Sequence, residues 1–278
     1  MPMTQGPCSS LPYSWKRRQL LIGGLGSLLL SQARGAGKIP VAPSLSATCA
    51  FVGNLNETLY AKNADTPVPI ALVSKLITAL VILSSELPLA EKIRIEPADA
   101  TLSGNTQSHL AIGSSWSRAQ LLEWLLVVSD NRAAAALARS IPGGWPEFKY
   151  AMRMLATQMQ LFSFDFGDAS GLSAINRASA RDLGILLTLL AQQPGFRALS
   201  TKTSVGNATN INRFAHDRSV ALLTGKTGFT SAAGYCLAQA EQFGDQTFAL
   251  VVLHARDKDS RAADMHALRA YTRRLLTG

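Results

Sequence analysis

Three short polar clusters stand out in a chain of 278 residues that is 47% hydrophobic and 16% charged. Lys75 lies in an apolar run beside Leu76, Ile77 and Leu80. Ser129, Asp130 and Asn131 separate two helix-like stretches, and Lys226, Thr227 and Gly228 stand at the start of a strand-like one. These are residue types that move protons and hold polar or anionic groups. Each cluster also has a plain explanation. The lysine head could reach water, Ser129–Asn131 could simply cap the next helix, and Lys226–Gly228 could be a turn. A lysine among aliphatic neighbours is a costly accident, however, and the order and spacing of all three point to one site. Other chemistries drop out. His109, His216, His254 and His266 have no metal-ligand spacing, so neither a metal nor a cofactor is expected. No Gly-x-Ser-x-Gly elbow occurs.

The elements that must position these clusters follow from pattern. Residues 47–52 and 58–61 read as a hairpin around a turn at 54–57, and Pro67 and Pro69 then stop the sheet pattern. Residues 71–83 are apolar on nearly all sides, which predicts a buried helix. Ser117 predicts an N-cap for a helix through Val127. Further helices are expected at 131–139, 146–160 and 178–190, with a loop at 166–172 between the last two. Residues 221–224, 234–240 and 248–254 read as strands, and 261–276 as an amphipathic helix with Leu268, Tyr271 and Leu275 on one face. Strands at both ends and helices in the middle predict an α+β unit: one antiparallel sheet of N- and C-terminal strands, with an inserted helical region.

The net charge is +9, with four of the cations among residues 1–36, which contain no acid. The rest is mildly basic and shows no basic stripe with interleaved aromatics, so no nucleic-acid partner is expected. Lys16-Arg17-Arg18, the apolar run Leu20–Leu30 and the small residues Ser31, Ala33, Gly35 and Ala36 form an export-signal pattern. The arginine pair and the glycine-diluted run fit a twin-arginine signal, with an ordinary secretory signal as the alternative. The run is too short to span a membrane, so no stable membrane anchor is expected. This divides the chain into an export signal (1–36), cleaved between Ala33 and Gly37, and a single domain (37–278) that works in the periplasm. Cys49 and Cys236, both in strand-like segments, are expected as buried thiols.

The three clusters resemble the active-site set of serine penicillin-recognising enzymes: Ser-x-x-Lys, Ser-x-Asn and Lys-Thr-Gly. The likeness extends to Pro69-Ile70-Ala71, to the alanine-rich segment after Asn131, to residues 225–237 and to the loop Asp168–Leu172, where Ala169 stands in place of a usual proline. From Thr48 to Leu276 the chain is similar to the D-alanyl-D-alanine carboxypeptidase family of low-molecular-mass penicillin-binding proteins. Within it the chain looks like the short endopeptidase branch, without an extra C-terminal β domain. The resemblance implies a transpeptidase-like, β-lactamase-like fold, and peptidoglycan stem peptides or β-lactam-like molecules as ligands. It also implies site roles. Lys75 would be the general base, Ser129 a proton relay, and Asn131 a hydrogen-bonding partner of the substrate peptide. Lys226 and Thr227 would hold the terminal carboxylate, Gly228 would admit a close backbone approach, and the N–H groups of residue 72 and Phe229 would form the oxyanion hole. A class A β-lactamase would also need a deacylating glutamate, and the only glutamate between Asn131 and Lys226 is Glu147.

One departure decides the functional expectation. The nucleophilic serine of the family lies three residues before the lysine, and that position here is Leu72. Ser74 directly precedes the lysine, but on a helix it lies about 200° around the axis from position 72. The resulting expectation is an exported, acylation-deficient member of the family that keeps a peptide-binding cleft and could engage a cell-wall enzyme as partner. The alternatives are a hydrolase using another serine such as Ser74, and a structural cell-envelope protein with a relic cleft.

Overall fold

The computed structural model describes residues 40–104 and 106–277. The expected export signal lies outside the described residues. The hairpin forms where the pattern places it, as β1 (Cys49–Gly53) and β2 (Thr58–Lys62). Its turn is closed by Asn54, whose side-chain oxygen accepts from the Asn56 and Glu57 amides at 2.9 and 3.0 Å. Next come β3 (Val68–Pro69), a 3₁₀ turn (Ala71–Ser74) and α1 (Lys75–Ser84). A small hairpin of β4 (Lys92–Arg94) and β5 (Ser115–Ser117) encloses α2 (Pro97–Leu102). The helical region continues with α3 (Arg118–Val127), α4 (Asn131–Arg139) and α5 (Gly144–Gln158). After β6 (Arg177–Ala178) come α6 (Ala180–Ala191) and α7 (Pro194–Ser200). The chain then passes through the minor pair β7 (Ser204–Val205) and β8 (Ala208–Thr209) into β9 (Leu222–Thr230), β10 (Gly234–Phe243), β11 (Gln246–Ala255) and α8 (Lys258–Thr277).

The main sheet is antiparallel with the order β2-β1-β11-β10-β9, so strands from both ends of the chain share it, as an α+β fold requires. Strand alternation divides its faces. Ala50, Val52, Leu237, Leu250 and Val252 pack with Met265 and Leu268 of α8 in one buried cluster. The alternate positions face the helical region. Phe51, for example, lies on Gly184 of α6 so closely that a Cβ there would collide with its ring. Lys226 pairs with Ala238, next to Leu237, and therefore points to the helical face.

Three sequence expectations need correction. Pro69 does not stop all pairing, because β3 makes a two-residue ladder with β6. Residues 71–83 are not one α-helix, since Ala71–Ser74 wind as a 3₁₀ turn. Lys226–Gly228 lie inside β9 rather than at a strand start, because the ladder with β10 runs on to Thr230. Cys49 and Cys236 are free, buried thiols as expected, and burial pushes the Cys236 thiol up to about 11. Among the described residues no helix is long and apolar enough to cross a membrane.

Candidate active site

The site forms where three elements meet: the turn leading into α1, the junction of α3 and α4, and strand β9. Ala71 opens the turn with φ +49°, a backbone conformation that non-glycine residues rarely adopt. In a 3₁₀ turn, side chains three apart eclipse. Leu72, half-buried, thus lies about one turn ahead of Lys75, the residue that follows the 3₁₀ turn.

Lys75 is fully buried, and its Nζ donates to Asn131 Oδ1 and to the Ser170 carbonyl, both at 2.6 Å. Burial pushes its pKa well below the usual lysine value and the nearby charge of Lys226 pushes it further, against the opposing pull of Asp168 and Asp130. Its two hydrogen bonds fix the amine in direction.

Asn131 is fixed by its place on α4. Asp130 caps that helix by accepting from the Ala133 amide at 3.0 Å, and the same carboxylate accepts from Ser108 Oγ and the His109 amide. The capping explanation is thus true of Asp130, which leaves its two neighbours available to the cleft. Ser129 has φ +65°, and its buried Oγ has no hydrogen-bond partner. Asn131 Nδ2 donates to Thr106 Oγ1 at 3.1 Å while its oxygen takes the lysine.

Lys226 is buried, with its Nζ donating to the neighbouring Thr227 carbonyl at 2.9 Å. Burial, helped by the Arg261 charge, lowers its pKa to about 7. Gly228 leaves no room for a side chain. A Cβ there would stand 2.9 Å from the Leu72 nitrogen and 3.0 Å from that of Val73. Phe229 is 47% exposed and lies on the Tyr235 ring with centroids 4.3 Å apart.

Ser74 is buried against the loop that holds Lys75. Its Oγ is buried without a hydrogen-bond partner and lies 2.6 Å from where a Cβ on Gly171 would be.

Two groups have parts that the motif reading did not assign, although it included the loop Asp168–Leu172. The first is Asp168, whose carboxylate accepts from the Ser170, Gly171 and Ser173 amides at 2.6–2.7 Å. Burial alone would raise its pKa, but the Ser173 amide, the Ser170 hydroxyl and the other loop amides outweigh burial and hold it low. The loop so tied presents the Ser170 carbonyl to Lys75. The second is Arg261 on α8, buried beside Tyr235, with Nη1 donating to the Cys236 carbonyl at 3.4 Å and Nε unpartnered. The available signal was a cation on the same helical stripe as Met265 and Leu268. No group of residues able to hold a metal ion exists among the described residues.

An antiparallel sheet flanked by helices, with a buried lysine, a Ser-Asp-Asn junction and a Lys-Thr-Gly strand converging on one cleft, defines the DD-peptidase class of penicillin-binding folds. The chain belongs to the D-alanyl-D-alanine carboxypeptidase family (peptidase S11), whose model matches residues 38–257. It is 35% identical over 228 residues to the D-alanyl-D-alanine endopeptidase of Escherichia coli, covering 78% of this chain and 74% of that protein. The D-alanyl-D-alanine endopeptidase of Pseudomonas aeruginosa is 34% identical over 245 residues, covering 84% and 79%. Among solved structures, the Streptomyces K15 DD-transpeptidase matches with a TM-score of 0.78 at 27% identity, covering 84% of this chain and 98% of that one.

Proposed function

We propose that this chain is an exported protein that binds peptidoglycan stem peptides in the cleft between Lys75 and Lys226 without forming an acyl-enzyme. The substrate class is that of its endopeptidase relatives. In this reading Lys226, Thr227 and Arg261 receive the terminal carboxylate of the peptide, and Asn131 bonds its backbone. The N–H groups of Leu72 and Phe229 donate to the oxygen of the carbonyl that an active relative would attack. Lys75 and Ser129 retain the positions of base and proton relay.

The observation that carries the proposal is the side chain at position 72. Three residues before Lys75, where the family carries its nucleophilic serine, this chain has an isobutyl group and no hydroxyl. Misplacement of a reacting atom by about 1 Å can already cost about a hundredfold, and the nearest serine in sequence, Ser74, lies against Gly171. Binding then remains as the function, with stem peptides presented to, or shielded from, a cell-wall enzyme. Export follows from the basic and apolar pattern of residues 16–36 and is checked by fractionating cells for the mature protein.

Incubation of the purified protein with a fluorescent penicillin should leave no covalent label, while a peptide ending in D-Ala-D-Ala should bind saturably and weaken in Lys226→Ala. A covalent adduct that disappears in Ser74→Ala would establish the hydrolase alternative. Absence of peptide binding would leave only the relic cleft.

A further inference from the structure

Behind the loop that holds Lys75 lies a cavity of about 140 Å³. Its walls are apolar: Leu102 of α2, Ala135 and Ala138 of α4, Trp145 of α5, and Ala169 of the loop. Leu102 is 61% exposed, so a large aliphatic side chain is left in contact with water beside the opening. The charged groups at the edge are satisfied within the protein. Arg139 donates to both oxygens of Asp99 at 2.9 Å and to the Arg94 carbonyl at 2.8 Å, and pairs with Glu96 at 2.9 Å. Asp168 is turned onto its own loop amides. The cavity therefore asks for neither an anion nor a cation.

Size narrows the choice. An apolar cavity of roughly 150 Å³ engineered into another protein stays dry and binds benzene. A space of this volume with an indole on one side suits a single flat ring, which can stack on Trp145.

The cavity shares two walls with the site. Ala135 and Ala138 stand four and seven positions after Asn131, on the same stripe of α4. Asn131 accepts one hydrogen bond from Lys75 and Ser170, at the cavity wall, accepts the other. Thr78 of α1 ties the same loop by donating to the Ala169 carbonyl at 2.7 Å. The geometry points to a binding site for one uncharged, benzene-sized aromatic molecule, whose occupancy stiffens the loop that holds Lys75. The site is independent of whether residue 72 permits acylation.

The test is a titration of the full chain with fluorobenzene, followed by ¹⁹F NMR, with hydrogen exchange of residues 166–173 measured at saturation. Saturable one-site binding is expected, with exchange in that segment slowed at least twofold. Ala138→Leu, which fills the space, should weaken binding at least tenfold. Leu102→Gln, at a position 61% exposed, should weaken it severalfold. No saturation up to the solubility limit, or unchanged affinity in both variants, overturns the site. Binding without slowed exchange overturns the link to Lys75.

Discussion

Gly228 and Leu72 meet backbone to backbone: a single Cβ on the glycine would press to 2.9 Å from the leucine nitrogen. This contact depends on the left-handed Ala71 and on strand β9, not on which side chain residue 72 carries. The frame that would receive a carbonyl and the group that would attack it are therefore separable.

That separation makes Leu72→Ser the most informative substitution. A serine one 3₁₀ turn above the Lys75 amine would have its base in place, so penicillin acylation is expected to appear. Intact-mass measurement should find one added drug molecule in the variant and none in the parent. Continued silence would show that more than the hydroxyl has been lost.

Peptide binding should depend on pH through Lys226. Its pKa of about 7 means it is protonated below neutrality and neutral above. Affinity for a carboxylate-ended peptide is expected to fall severalfold between pH 6 and 8.5, and to lose this dependence in Lys226→Ala. Arg261→Ala removes a charge that lowers the Lys226 pKa, so the midpoint in that variant should move upward. Calorimetric titrations across this range decide the matter.

The same lysine shapes stability. Between about 7 and its ordinary 10.5, Lys226 binds a proton in the unfolded chain but not in the folded one. Stability therefore rises with pH over that window and is lower below it. Denaturant unfolding at several pH values should show this rise, and Lys226→Met should reduce it, leaving the part that the buried Lys75 contributes with the same sign.

Gly171 has φ +89°, and a Cβ there would collide with the Ala71 carbonyl. Gly171→Ala is expected to destabilise by about 2–4 kcal/mol, combining backbone strain with overpacking against the site. A loss within 0.5 kcal/mol in denaturant melts would mean that the loop relaxes freely.

On the far face of the sheet, Arg269 Nε donates to Glu241 at 2.8 Å, and Gln239 donates to the other carboxylate oxygen at 2.7 Å. Both charged side chains are almost fully buried. Arg269→Met leaves Glu241 uncompensated and should cost about 3–5 kcal/mol. The double variant with Glu241→Leu should recover a large part of that.

Local signals carried much of the fold. Ser117 caps α3 with Gln120 in a reciprocal box, and the helix beginning at Asn131 has the bounds its pattern predicts, because both ends are set by side chains within a few residues. Strand β9 was half hidden. Gly225, Lys226, Thr227 and Gly228 interrupt hydrophobic alternation, and only the ladder to β10 makes them strand. The 3₁₀ turn was hidden too, since an apolar run looks alike in either helix type and the φ of Ala71 is set by tertiary contacts. Of the site, the motif residues were legible by type and order. Arg261 and the Ser170 carbonyl were not, because their parts depend on long-range packing and, for Ser170, on a main-chain atom that any residue supplies.

Strand β11 runs between β1 and β10, so Cys49 and Cys236 sit on strands that are not neighbours. Two strand spacings put them roughly 10 Å apart, beyond the reach of a covalent bridge without backbone movement. Among the described residues, then, these two thiols ask for neither an oxidant nor a disulfide isomerase, and the fold closes over them in the reduced form.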